Sequence, residues 1–215
     1  HQRAAAATDE PSVAVVAGPG TGKTKTLIAR IACLIEEKGV EPSSITAVTF
    51  TNKAAGEMRE RLMGYFQNKR IVNAMTIGTF HSICLHLLEK KDKNVTLIGE
   101  YEALDTAAQV IRSLDLKISP KQFLSEVSKL KCGGQSDSLS EEAAEVYETR
   151  LKKMGVLDFD DLLLQILDEW ETGSAGKRWE KAFSYLLVDE FQDVSDIQYR
   201  LVQAWSKQGK GLFVI

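Results

Sequence analysis

The sequence predicts an α/β fold: a parallel sheet flanked by helices and interrupted by an all-helical insertion. Three observations carry that expectation. Five short apolar, β-branched runs, "SVAVVA" (12 to 17), "ITAVTF" (45 to 50), "VNAMTI" (72 to 77), "YLLVDE" (185 to 190) and "GLFVI" (211 to 215), read as buried strands. Parallel strands covered on both faces have this near-continuous apolar character. Helical patterns separate the first four runs, and strand alternating with helix implies parallel pairing. From about residue 89 to 180 the strand pattern disappears and only helices are indicated.

Taken in order, the first run leads into "AGPGTGKT" (17 to 24) and then into "KTLIARIACLIEE", which has helical periodicity. A strand ends, a tight loop turns and a helix begins. In "NKAAGEMRERLMGYF", Ala55, Met58, Leu62 and Tyr65 recur at three- and four-residue spacing, one apolar stripe of a helix. "TFHSICLHLLEK" is the third crossover helix. The insertion contributes "EYEALDTAAQVIRSL", "PKQFLSEVSKL", "EEAAEVYETRLKKM", "DFDDLLLQILDEW" and "KRWEKAF". Ser119-Pro120 suits a helix start, Ser138 with Glu141 reads as a capping box, and "CGGQSD" is a loop. Trp170 and Trp179 are expected in the insertion core. The reading therefore gives a discontinuous α/β domain, residues 1–88 and 181–215, around a helical subdomain, residues 89–180. The last run is a strand with nothing after it to cover it, which reads as a fragment of a longer chain.

Composition bounds the function. With 215 residues, 44% of them hydrophobic, the chain can build one sizeable core plus a smaller one. It has neither a stretch long enough to span a bilayer nor the apolar centre of a secretory signal, so a cytoplasmic protein with no membrane partner is expected. Cys33, Cys84 and Cys132 are widely spaced and lack histidines at metal-ligand distances, which fits a reducing compartment. A net charge of −3 supplies no general basic field, so contact with nucleic acid must be local, through a few cations and stacking aromatics.

A loop between strand and helix aims successive backbone N–H groups and a helix N-terminus at one point, where a phosphate fits. Gly18, Gly20 and Gly22 let the backbone fold closely round it. Lys23 reaches the β and γ phosphates and Thr24 places its hydroxyl on Mg²⁺. Ala17 stands at the first position of the usual pattern; Pro19 and Thr21 complete the loop. Asp189 and Glu190 follow four apolar residues at the end of a strand, the edge at which open parallel sheets bind ligands. There Asp189 suits the Mg²⁺ shell, and Glu190 suits the proton of the water attacking the γ-phosphate. Gln192 senses the γ-phosphate or relays its presence. Phe50, Thr51, Asn52 and Lys53 sit where a strand meets a helix, and Phe80, His81 and Ser82 repeat the arrangement one strand later. Both sets offer an aromatic face and polar donors to a nucleic-acid strand; the alternative for each ring is core packing. Asp158 or Asp160 caps the following helix.

"AGPGTGKT", "TFTNKAAGEMRERL", "TIGTFHSICLHLL", "DFDDLL" and "VDEFQD" occur in the order and character of the UvrD/Rep-like superfamily 1 DNA helicases. The chain resembles their first RecA-like lobe with its inserted helical subdomain. The resemblance implies an ATP-dependent helicase of the UvrD-like branch 1A that uses ATP and Mg²⁺, grips single-stranded DNA and duplex junctions, and translocates 3′ to 5′. It also implies a second RecA-like lobe carrying arginines that face the γ-phosphate, so the present residues alone should hydrolyse ATP poorly and unwind nothing. It matches Gln2 to a glutamine that reads adenine and Arg30 to a position that packs against the base, and it adds Lys25 to the nucleotide-binding set. DNA-repair proteins are implied as partners. Two alternatives stay open: the motor of a helicase-nuclease, and a non-motor protein that keeps the fold to bind DNA or a repair partner.

Overall fold

In this computed structural model, residues 2–18, 20–174 and 177–215 are described. Strands β1 (Ser12–Ala14), β2 (Ile45–Val48), β3 (Thr76–Gly78), β4 (Tyr185–Val188) and β5 (Gly211–Val214) form one parallel sheet in the order β1-β5-β4-β2-β3. The helices are α1 (Gln2–Ala7), α2 (Lys23–Glu36), α3 (Asn52–Phe66), α4 (Lys69–Ala74), α5 (Phe80–Lys91), α6 (Glu100–Ser113), α7 (Pro120–Lys131), α8 (Glu141–Met154), α9 (Phe159–Glu171), α10 (Lys177–Ala182) and α11 (Asp196–Ser206). The predicted α/β class is what the chain adopts.

The chain forms two compact units, residues 1–83 with 166–215, and residues 84–165. In the first, the α2 stripe Leu27, Ile31 and Leu34 and the α3 stripe Met58 and Leu62 pack on Ile45, Ala47, Leu187 and Phe213 of the central strands. These side chains are almost completely buried, which is where most of the unit's stabilising free energy resides. All strand C-termini meet at one edge, where the ladder continues into the loops: Val15 N–H donates to Val214 O at 2.9 Å, Asp189 N–H to Val48 O at 2.9 Å and Phe191 N–H to Ile215 O at 2.9 Å. The loops that follow β1 and β4 are thereby fixed on either side of β5.

In the second unit, Ala107 and Val110 of α6, Phe123 and Val127 of α7, and Ala143, Tyr147 and Leu151 of α8 make a separate core. Phe123 and Tyr147 meet edge to face with centroids 5.9 Å apart. At the start of α9, Asp158 N–H donates to Asp161 Oδ2 at 3.0 Å and Asp161 N–H returns to Asp158 Oδ1 at 2.9 Å, a reciprocal cap. Lys131, its side chain 3% exposed, reaches Asp158 Oδ2 at 2.8 Å and Asp161 Oδ1 at 2.6 Å. Burial alone would lower the Lys131 ammonium, and the two carboxylates outweigh it, holding the pKa above the ordinary lysine value. "DFDDLL" thus builds a helix start, with Asp158 rather than Asp160 as its cap.

Several expected elements differ in detail. The run 72 to 77 is not one strand: Val72 and Asn73 belong to α4, whose start Asn68 caps by accepting from Arg70 N–H at 3.0 Å, and only Thr76–Gly78 pairs. Val72 is apolar because it is a buried helix position. β1 ends at Ala14, and Val16 is fully exposed; an edge strand lacks the double cover that the apolar run suggested. Ser140, not Ser138, caps α8 by accepting from Ala143 N–H at 3.3 Å. The short α1 and α11 were not anticipated, although α11 opens on a capping box made by Ser195 and Gln198. Trp170 packs edge on with Phe183 at 5.5 Å and with Trp205 at 6.3 Å, so it belongs to the α/β unit rather than to the insertion. Helical periodicity shows that a face is buried but not in which core.

Candidate nucleotide site

The loop from Val15 to Gly22 links β1 to α2. Gly20 and Gly22 have φ of 74° and 87°, a left-handed geometry that a side chain resists. Thr21 ties the turn internally, its hydroxyl donating to Gly18 O at 2.6 Å. Gly22 stands at the N-cap of α2 and has no side chain to satisfy the first-turn N–H groups. Those donors and the positive end of the helix are therefore left for an anion. Lys23 and Thr24 begin the helix, half-buried, and Lys25 lies exposed one residue on.

The second half of the site follows β4. Asp189 is 7% exposed, and its Oδ1 accepts Glu190 N–H at 3.1 Å. Glu190 has φ 51° and ψ 45°, a left-handed conformation uncommon for a residue with a side chain. Its carboxylate forms an ion pair with Lys23, and Gln192 Nε2 donates to the same Oε2 at 2.6 Å and to Asp193 Oδ2 at 3.1 Å. The Lys23 hydrogen bond, then that from Gln192, holds the Glu190 carboxyl below the ordinary range. The hydrogen bond to Glu190 likewise holds the Lys23 ammonium above its ordinary value. Burial, and next the charge of Glu190, push Asp189 the other way, above its ordinary value. A cavity of about 460 Å³, lined by Val15, Ala17, Lys23, Gln192 and Ile215 among others, opens between the two loops. Thus Lys23, Glu190 and Gln192 are brought together, with Asp189 beneath them.

Farther along the same edge, Phe50 follows β2 and is 50% exposed. Thr51 caps α3, accepting from Ala54 N–H at 3.1 Å, and Asn52 and Lys53 are exposed on its first turn. Phe80 corrects the expectation of a second stacking platform. It is 2% exposed, with its ring stacked on Trp205 at 5.8 Å. The Ser82 hydroxyl is committed too: it accepts Thr79 N–H at 2.8 Å, while Ser82 N–H donates to Thr79 Oγ1 at 3.2 Å, capping α5. His81 remains half-buried on the first turn of that helix.

A family model described as the UvrD/REP helicase N-terminal domain matches residues 1–215. The chain belongs to this family. Similar proteins include ATP-dependent DNA helicases PcrA from Leuconostoc citreum, 33% identical, Staphylococcus aureus strain Mu50, 32% identical, and Bacillus subtilis strain 168, 33% identical; each comparison covers 100% of this chain. The chain spans about a third of those relatives' length, 31% or 32%.

In this UvrD/REP helicase domain Arg30 departs from the part expected of it. It is 4% exposed, and its guanidinium donates to Ala6 O at 3.0 Å and Thr8 O at 2.6 Å, with Cζ 5.9 Å from the centre of the Phe213 ring. A group so engaged does not present its face to a base. The side chain of Gln2 and the whole of Pro19 lie outside the described residues. What the sequence did not reveal is the partnership of Arg30, Lys38 and Asp9 round the end of α1, since two of the acceptors are backbone carbonyls that leave no mark in a pattern of side chains.

Proposed function

We propose that this domain is the ATP-binding lobe of a cytoplasmic DNA helicase that couples ATP hydrolysis to 3′ to 5′ movement on single-stranded DNA and to duplex unwinding in repair or replication. The observation that carries the reading is the meeting of Lys23 and Glu190, 167 positions apart, across an anion-ready loop. A loop that only turned the chain would have no use for a carboxylate from the end of another strand paired to its lysine. The names of the similar proteins supply the DNA and the ATP in this reading.

In the cycle we infer, the nucleotide phosphates enter beneath the α2 N-terminus and draw Lys23 away from Glu190. The freed carboxylate accepts the proton of the attacking water, held in place by Gln192. Asp189 and Thr24 fit Mg²⁺. Both offer hard oxygen donors, and Asp189, raised by burial and then by the charge of Glu190, is a carboxylate whose charged form a dication would favour. When bound, the ion neutralises charge on the phosphates. Phe50, Thr51, Asn52, Lys53 and His81 serve the DNA strand. Arginines from a second lobe complete the reaction; groups of that kind are worth about 10³ to 10⁵ in rate, so residues 1–215 alone hydrolyse ATP slowly and do not unwind.

The test is steady-state ATP hydrolysis by the intact chain, with and without a single-stranded oligonucleotide, beside Lys23→Ala and Glu190→Gln. DNA-stimulated turnover that falls at least about a hundredfold in both variants is the expected result, within the range for losing a general base or a phosphate clamp. ATP binding without any response to DNA would favour a non-motor protein instead.

A further inference from the structure

We propose that Arg30 is a positioning residue for nucleotide binding: it holds the C-terminal end of α1 against α2 and so fixes the wall on which the nucleoside rests beside the phosphate loop. The inference rests on the nucleotide-binding reading above.

The α1 helix has six residues, too few to hold its place without tertiary support. That support comes from two cations belonging to α2 and the turn after it. Arg30 takes the carbonyls of Ala6 and Thr8. Lys38 reaches the Thr8 carbonyl as well, at 2.7 Å, and Asp9 Oδ1 at 2.7 Å. The two cations therefore converge on one oxygen, where the free carbonyls of a helix C-terminus favour positive charge.

Arg30 is also a costly choice. Among the described residues its hydrogen bonds go to two carbonyls, with the face of the Phe213 ring beside it, while Asp9, the carboxylate whose charge it feels, is bonded to Lys38. Burying a guanidinium on carbonyls alone consumes stability unless the contacts serve something else. What they serve lies next to them. A cavity of about 500 Å³ runs between α1 and α2: Ala6, Ala7, Lys25, Thr26 and Ala29 line it toward the phosphate loop, and Glu36, Glu37 and Tyr65 are among the residues at its far end. The alanines keep it open, and Lys25 and Thr26 directly follow the phosphate-binding pair Lys23 and Thr24. Because Arg30 lies two turns along the helix that begins at Lys23, it joins the wall of that cavity and the phosphate loop into one frame. A nucleoside whose phosphates occupy the loop meets α1 at a fixed separation.

The consequence separates base from phosphate. Charge-assisted contacts of this kind are the stronger hydrogen bonds, so Arg30→Met in the intact chain should weaken Mg-ATP binding about tenfold while Mg-tripolyphosphate changes by less than about twofold. Arg30→Lys, which keeps a cation for the same carbonyls, should recover most of the ATP affinity. Titration calorimetry with both ligands reads this directly. Equal losses for ATP and tripolyphosphate would overturn the proposal, since they would mean a general loosening of α2, and so would an unchanged ATP affinity. Should Arg30→Met fail to fold, Lys38→Met removes the second donor to the same Thr8 carbonyl, and the partner of Asp9, from the more exposed side. A loss confined to ATP then supports the proposal, and no selective loss overturns it. Lys23→Ala must weaken both ligands; if it weakens neither, the phosphate-loop reading fails, independently of Arg30.

Discussion

Phe50 and Phe80 lie two residues beyond Val48 and Gly78, which are partners in the register of β2 and β3. Their surroundings nevertheless differ, half-exposed against 2% exposed, and their substitutions should differ accordingly. Phe50→Ala should cost about 1–3 kcal/mol in single-stranded DNA affinity and leave the urea midpoint unchanged. Phe80→Ala should cost about 3–5 kcal/mol in stability, read by urea unfolding, because it opens a hole against Trp205. The nucleotide site gives a second contrast. Burial raises Asp189, so in the window above its ordinary pKa the folded state binds more protons than the unfolded state, and stability rises as pH falls. Asp189→Asn should therefore raise the urea midpoint at neutral pH, and the gain should vanish as pH drops through the raised pKa. Glu190 has the opposite sign. Its lowered pKa contributes stability above the ordinary carboxylate range, lost as pH falls through the folded value.

Among elements, the span of α3 was legible, because Ala55, Met58 and Leu62 form its buried stripe, whereas Tyr65, expected on that stripe, is 52% exposed, and Thr51, read as a DNA contact, also serves as its cap. β3 was misjudged, since "VNAMTI" is largely apolar and a short run of that kind does not reveal its period. The tight loop into α2 and the acidic pair after β4 were legible as elements, because closely spaced glycines and two carboxylates after an apolar run leave a mark in the sequence; their nucleotide role is the proposal made above. The fate of Phe80 was not, because it depends on α11 arriving from 125 positions away, with Trp205 as its contact. The caps behaved alike: Ser119 was evident from the proline after it, whereas Ser140 competed with Ser138 and only backbone geometry decides between them. The start of α9 offers a test at this scale. Lys131→Met leaves Asp158 and Asp161 facing one another without their cation, and removing one partner of a buried ionic cluster costs about 3–5 kcal/mol. In the parent chain the Lys131 contribution is complete below the ordinary lysine pKa and is lost as pH rises through the raised value. Chemical denaturation across alkaline pH, with Lys131→Met as reference, reads both effects.

Across the whole molecule there are two cores: one supports the strand edge that carries Lys23, Asp189 and Glu190, and the other is built from helices alone. With an overall charge of −3, the DNA contact proposed above rests on Phe50, Lys53 and His81 rather than on bulk charge. The sheet order has a further consequence for synthesis. Among the described residues β1 pairs only with β5, Ser12 opposite Leu212, so the first strand has no sheet partner until β5, about 200 residues later, has been made. At about 5–20 residues per second on the ribosome, that is a wait of roughly 10–40 s. During that wait the helices of residues 84–165 have time to assemble their own core, whereas the loop after β1, tethered to an unpaired strand, waits for β5.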